Sequence, residues 1–384
     1  MDFRFNETQR LLKETASQFA SEKIPNHVAR ENDIHERFPL EIVKEMGQLG
    51  LFGGPIPSKY GGADLDYISY AIINEEISKA CSSVRTVLSV QISLVASTIL
   101  KWGSEKQKSL YLPKLCSVEN FGCFALTEPD AGSDAQQIKT FARKTQNGWI
   151  LNGNKIWISN GGVADIALVI AQTEKDNPRR MTAFLVETQT DGFSTKDIHG
   201  KLGLRSSNTA EIFMENVEIP EDAILGEVGD GFKVAMSALD NGRYSVAAGC
   251  LGIAQASLES SVLFSKERHT FGKPIAARQL VQDLIAQMVV DVEASRLLLY
   301  KAGEIKNAGK KNTRETSIAK FYCSESALKA ANNAIQIHGG MGYSNEYPVE
   351  RYMRDARIAT IYEGTSQIQK LIIAGFETGI RSIS

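Results

Sequence analysis

Over the first 120 or so positions the apolar residues recur at intervals of three and four, as in Leu11, Leu12, Ala16 and Phe19, and again in Ile42, Val43, Met46, Leu49 and Leu51. That period puts one apolar stripe on one face of a helix. Pro39, Pro55, Pro57 and the pair Gly61-Gly62 interrupt it, so the pattern predicts several helices of moderate length joined by short loops. Between about 121 and 230 the texture changes to alternating or short apolar runs, WILNGNKIWIS, ADIALVIAQT, MTAFLVET and TAEIFMENVEIP, which predict strands. Asn147-Gly148 and Asn152-Gly153 are dipeptides of the kind tight hairpins use. The strands also lie too close together for helical crossovers, so an antiparallel sheet or small barrel is expected. After Gly231 the helical period returns, with long segments near 234–266, 276–307, 314–338 and 365–380, which predict a four-helix bundle. The chain is thus expected to be α+β: an all-α domain over 1–120, a β domain over 121–230 and a helical-bundle domain over 231–384.

A length of 384 residues suits two or three domains. A chain of this size buries about three quarters of its unfolded surface. Hydrophobic residues at 43% and charged residues at 23% exclude a disordered chain and a disulfide-stapled miniature. With 43 basic and 45 acidic residues the net charge is -2, so no global field draws the protein to nucleic acid. From Gly231 onward there are 19 basic and 14 acidic residues, against 24 and 31 before it, a mildly basic bundle behind an acidic front. Five scattered cysteines without a CxxC pair point to a reducing, cytoplasmic location. The opening MDFRFNETQRLLKETASQF has no apolar leader core and reads as neither signal peptide nor anchor. The stretch from Cys81 to Leu100 has few charges but too many serines and threonines for a lipid-spanning helix, so no membrane span is expected.

Generic chemical signatures are sparse. No GxGxxG follows a predicted strand, no Walker loop or GxSxG elbow is present, and no His/Cys/carboxylate set has metal-ligand spacing. His338, beside a glycine pair in IQIHGGMGY, reads as a packing residue. The segment FALTEPDAGSD brings Thr127, Ser133 and the amides near Gly132 into one loop, which is either an ordinary polar turn or a cradle for a planar heterocycle and a phosphate. Trp157, at a strand end, is either core or the wall of a cofactor site. Glu363 stands just before a helix capped by Thr365 or Ser366. It is a solvated helix-start carboxylate or, if buried against Tyr362 and a ligand, a general base with a raised pKa. Arg85 is the only charge between Cys81 and Leu100. It requires a partner, which is either a structural carboxylate or an anionic group on a ligand.

Taken together, FALTEPDAGSD, NGNKIWISNG, ERHTFGKPI, QIHGGMGY, YPVERYMRDARI and IYEGTSQIQ resemble signatures of the acyl-CoA dehydrogenase family, over essentially the whole chain and in the same order. The resemblance implies an FAD enzyme that oxidises the Cα–Cβ bond of an acyl thioester, a base removing the α proton while hydride leaves the β carbon for the flavin. By position in its motif Glu363 is that base. Some relatives carry the base on an earlier helix, and the corresponding position here is Gly242. The resemblance further implies that Phe124, Leu126, Thr127 and Ser133 contact flavin or substrate, with Trp157 and Ser159 against the ring system. Arg268, Thr270, Phe271 and Gln279, with Gln336, Gly339 and Gly340, are expected to bind the FAD of a neighbouring subunit. Thr365 and Gln367 are expected around its nucleotide portion. Arg85, Ser133, Asp240, Arg243, Tyr362 and Gly364 are the expected substrate contacts. A homotetramer and an electron-transfer flavoprotein or other acceptor are the implied partners, and no metal is required.

Two likenesses bear on the substrate. SSVRTVLSVQISL and NGRYSVAAG resemble glutaryl-CoA dehydrogenases, in which the arginine grips a distal carboxylate, but a family carboxylate near it is Ser78 here, which argues against glutaryl-CoA. SALDNGRYSVAAGCLGIAQASLE and ETSIAKFYCS resemble dehydrogenases of polyketide and nonribosomal peptide pathways that act on short acyl groups held on acyl carrier proteins. The expectation is a short or polar acyl thioester, on a carrier protein ahead of coenzyme A. A reading of another class, a flavoprotein that binds nucleic acid in stress responses with little dehydrogenase activity, fits poorly with a net charge of -2.

Overall fold

The computed structural model describes residues 4–174 and 180–380; the first three residues of the opening segment lie outside it. The amino-terminal part is helical: α1 (Glu7–Lys23), α2 (Asn26–Ile34), α3 (Leu40–Gln48), α4 (Tyr67–Ala80), α5 (Ser82–Leu88), α6 (Ser97–Trp102) and α7 (Glu105–Ser117). Asn6 and Ser104 close capping boxes on α1 and α7, each side chain satisfying an otherwise free helical N–H. Between α5 and α6 the residues Ser89–Ala96 form a π-helical segment, a widened turn of the sort that often faces a functional site.

The middle part is a sheet of β1 (Gly122–Ala125), β2 (Phe141–Lys144), β3 (Gly148–Ser159), β4 (Ile166–Gln172), β5 (Met181–Glu187), β6 (Phe193–Asp197), β7 (Thr209–Pro220) and β8 (Ile224–Leu225). Its order is β6-β7-β3-β2-β4-β5-β8, with β1 also on β4. The sheet is mainly antiparallel, as expected, and departs from that at two pairings, where β1 and β2 run parallel to β4. Asn147-Gly148 does close the β2–β3 hairpin, with Lys144 opposite Trp149. Asn152-Gly153 makes no turn: it lies inside β3, where Gly153 (φ +147°) absorbs a register shift against β7. Ile166, Leu168 and Ile170 of β4 face the helical core, while Ala167 and Val169 join Leu151, Ile212 and Val217 in a second core round which the sheet curls.

The carboxy-terminal part contains α8 (Gly231–Glu267), a short hairpin of β9 (His269–Thr270) and β10 (Lys273–Pro274), α9 (Gln279–Asn307), α10 (Thr313–His338), α11 (Val349–Ala359) and α12 (Ser366–Thr378). The four predicted long helices are all present, and α11 and the β9–β10 hairpin are additional. Ser82–Trp102 and Gly231–Glu267 are long and apolar enough to cross a membrane, yet 94% and 67% of their most apolar windows are buried inside the fold, as in core helices.

Candidate active site

A cavity of about 760 Å³ opens where the three parts meet, lined by α5 and the π segment, the ends of β1 and β3, and the loop after α11. β3 delivers the aromatic wall. A second register shift, between Lys155 and Ile158, leaves Trp157 at φ +62°, and its ring, 58% exposed, stands at the cavity edge instead of in the core. Ser159, Thr127 and Ser133 line the same space, with Phe124 and Leu126 behind them. An exposed indole face flanked by hydroxyl groups suits a planar, polar-edged ring, so these residues fit the flavin of FAD.

A buried ion pair fixes this corner. Lys155 is 1% exposed and donates to Glu128 (2.8 Å) and to the carbonyls of Leu126 (3.0 Å) and Ile170 (2.8 Å). Burial pushes its ammonium down to about 8 against the pull of Glu128. All three ammonium hydrogens have acceptors, as a buried charge requires.

Glu363 faces the cavity from the opposite side, on the turn between α11 and α12, with φ +56° and Gly364 at φ +86°. Of the two caps open in the sequence, Thr365 or Ser366, it is Thr365 that caps α12, its hydroxyl accepting from the Ile368 amide (3.2 Å). The helix start does not hold the Glu363 carboxyl low. Burial pushes it up to about 7, with Arg243, Lys320 and Arg85 pulling the other way, and Oε2 is shut from water without a hydrogen-bond partner. A Cβ on Gly242 would lie 2.6–2.7 Å from the carboxylate atoms, so this helix position leaves room for the carboxylate that comes from the turn.

Arg85 lies in the same cavity, 2% exposed. Of the two partners open to it, a structural carboxylate is absent among the described residues. Nη2 donates to the Tyr362 hydroxyl (3.0 Å), while Nε and Nη1 are buried without partners. Gly249 makes the space for it, because a Cβ there would stand 2.4 Å from Nε. Ser78 donates to the Gly249 carbonyl (2.8 Å) and brings no negative charge to the guanidinium.

The fold therefore gathers Arg85, Phe124, Leu126, Thr127, Ser133, Trp157, Ser159, Tyr362, Glu363, Gly364 and Thr365 round one space. Other candidates stand elsewhere. Arg243 is buried beneath the turn: it pairs with Asp240 (3.0 Å) and its Nε donates to the Glu363 carbonyl (3.1 Å), so this pair braces the Glu363 turn from behind instead of lining the cavity. Gln367 is on the exposed face of α12. Arg268, Phe271, Gln279, Gln336, Gly339 and Gly340 are exposed and Thr270 half-buried, away from this chain's cavity at one end of the bundle. His338 is a packing residue, stacked on Phe264 (4.2 Å) with Nδ1 against the Ala334 carbonyl (2.7 Å).

Three features escaped the sequence reading. Lys320 and Gln369 both donate to the carbonyls of the Glu363-Gly364 turn; the available signal was a lysine on the face of α10 that also carries Ser317, Cys323 and Ser324, all buried. The Glu128–Lys155 pair spans 27 residues and had no local signal. The loop from Ile198 to Leu204 also borders the cavity, tied down by Glu36 at the Gly200 amide (3.1 Å) and by Asp355 at the Leu204 amide (2.6 Å).

Family models of the acyl-CoA dehydrogenase N-terminal, middle and C-terminal domains match residues 6–119, 123–217 and 229–376. An acyl-CoA dehydrogenase of Bacillus subtilis is 46% identical over 90% of this chain and 91% of its own length. The mitochondrial short-chain specific acyl-CoA dehydrogenase of Rattus norvegicus is 44% identical over 96% of this chain and 90% of its own. Among solved structures, butyryl-CoA dehydrogenase from Megasphaera elsdenii superposes with a TM-score of 0.96 at 41% identity, covering 98% of this chain and 100% of that one. Glutaryl-CoA dehydrogenase in its glutaryl-CoA complex matches at 0.96 and 41%, covering 99% and 98%. The prolyl acyl carrier protein oxidase AnaB matches at 0.94 and 31%, covering 97% and 100%. With all three domain models in order along a chain that has this cavity, the protein belongs to the acyl-CoA dehydrogenase family, FAD-dependent oxidoreductases acting on CH–CH bonds.

Proposed function

We propose that this enzyme dehydrogenates a short acyl thioester whose far end carries an anionic or strongly polar group, with Glu363 as the base. The observation that carries the reading is Arg85, a buried guanidinium with two unpartnered nitrogens on a side chain that lines the same cavity as Glu363. A buried charge without a counterion is strongly unfavourable, and a planar fork pairs best with a carboxylate. Ser78 leaves that charge uncompensated and so favours an anionic acyl end, including the glutaryl group that its presence seemed to disfavour.

Glu363, poised near neutrality, takes the α proton, and the apolar walls from Val90, Leu94 and Phe124 keep water from competing for it. Tyr362, bonded to Arg85, orients the fork toward the acyl end. Trp157, Ser159, Thr127 and Ser133 would hold FAD, which would supply the hydride acceptor for Cβ, with an electron-transfer flavoprotein or other acceptor as redox partner. The exposed Phe271, Leu280 and Tyr343, 95%, 83% and 89% accessible, support assembly into a homotetramer in which Arg268, Gln279 and the Gln336–Gly340 region reach a neighbour's cofactor.

The test is anaerobic bleaching of the yellow holoenzyme by a panel of thioesters, butyryl and glutaryl among them, each on coenzyme A and on a carrier protein. Faster reduction by the carboxylated members supports the reading, and the better handle identifies the donor. Reduction by butyryl alone would overturn the assignment of Arg85.

A further inference from the structure

The Glu363-Gly364 turn consists of two successive left-handed residues, and the first is not glycine. A non-glycine residue in that region costs about 1–2 kcal/mol, so the conformation must be imposed from outside. Three helices impose it through two carbonyl oxygens. The Glu363 carbonyl accepts from Arg243 Nε on α8 (3.1 Å) and Gln369 Nε2 on α12 (3.0 Å). The Gly364 carbonyl accepts from Gln369 Nε2 (3.1 Å) and from Lys320 Nζ on α10 (2.7 Å), the shortest of the four contacts.

Lys320 is the unusual member. It is 0% exposed, its one hydrogen bond is to that neutral carbonyl, and among the described residues no carboxylate reaches it within 4 Å. An apolar side chain of similar length would fill the space without the penalty of burying an ammonium. The groups facing it are Cys250 and Arg243 from α8, Glu363 from the turn, and Glu325 from its own helix. Burial brings its ammonium down to about 8, and Cys250 and Glu363 pull the other way.

Resting on the reading of Glu363 as base, we propose that Lys320 is a positioning residue for this reaction: its ammonium anchors the Gly364 carbonyl, and so the left-handed turn that aims the Glu363 carboxylate at the substrate. Its charge also favours the ionised, proton-accepting form of that carboxylate.

The experiment compares Lys320→Met, which removes donor and charge, with Lys320→Gln, which keeps a donor and removes charge, both as holoenzymes of checked FAD content and melting temperature. For a thioester that bleaches the wild type, Lys320→Met should lower kcat about 10²-fold, the usual loss for a reacting group misplaced by about 1 Å, with little change in KM. Lys320→Gln should recover most of that loss. In both, the infrared carboxyl titration assigned by difference against Glu363→Gln should move to higher pH, because the attracting cation is gone. If Lys320→Met keeps the wild-type kcat, or Lys320→Gln is as slow as Lys320→Met, the anchor is refuted. If Lys320→Met does not fold, an unmoved titration or a deep kcat loss in Lys320→Gln overturns the proposal. Wild-type flavin reduction by Glu363→Gln would sink the base assignment instead, and the infrared midpoint would still report on Lys320.

Discussion

Gly242→Ala separates Glu363, the proposed base, from the fold. Its new Cβ would meet Glu363 Oε1 at 2.6 Å, whereas ordinary contact begins at 3.4 Å, so the carboxylate must retreat by about 0.8 Å, the difference between the two. The atoms it meets are the far end of a flexible side chain, and an off-rotamer shift of that kind costs about 0.5–1.5 kcal/mol. Alanine in a helix interior returns about 0.5–1 kcal/mol relative to glycine. The two nearly cancel, and the melting temperature should stay within about 4 °C of wild type. Catalysis has no such compensation: a reacting group displaced by about 1 Å loses roughly 10²-fold in rate. The assay is stopped-flow flavin reduction under anaerobic conditions, with thermal unfolding followed by circular dichroism on the same preparation. A variant that reduces its flavin at the wild-type rate would refute the argument. So would one that melts far below wild type, because the backbone and not the carboxylate would then have yielded.

Four further outcomes are expected. Glu363→Gln should retain FAD and bind thioester but lose reduction; in the wild type kcat/KM should rise with pH through about 7, as the carboxyl becomes the ionised base, with no such limb left in any residual activity of the variant. The same group is raised in the folded protein, so it stabilises fully below the carboxyl's ordinary 4.5 and that contribution is lost as pH rises to about 7; the melting advantage of Glu363→Gln should therefore grow across that window, and a flat difference would contradict it. Arg85→Met should raise KM for carboxylated or polar substrates and leave a plain butyryl thioester nearly unchanged, and an equal loss on both would mean that Arg85 is structural. Lys155→Met strands the buried Glu128 carboxylate and should destabilise by about 3–5 kcal/mol in denaturant unfolding, a loss that Glu128→Gln on top should partly relieve; an unchanged midpoint would show that the pair contributes nothing.

The sequence by itself determined the element types and the chemistry-bearing motifs. Helical and strand periods are local properties of the chain, so the α, β, α order and the four long helices of the bundle follow from residues a few positions apart. Glu363 and Trp157 could be singled out because their motifs are contiguous, and both now line the cavity; the cap was narrowed to Thr365 or Ser366, and the fold uses Thr365. Tertiary structure alone decided the rest. Strand direction depends on which partner is nearest in space, so β1 and β2 came out parallel to β4, and Asn152-Gly153 became a bulge because β7 continues past it. Arg85 was visible as a lone charge, but only packing against Gly249 and Tyr362 leaves two of its nitrogens without partners. Asp240 and Arg243 had the right chemistry for a ligand, and the fold sets them behind the turn. Lys320 stands 44 residues from the carbonyl it holds and Arg243 120 residues away, so local pattern could mark Lys320 as a buried-face lysine but not name the turn that it and Arg243 brace. A buried charge reveals its purpose only through what the other helices bring within about 3 Å of it.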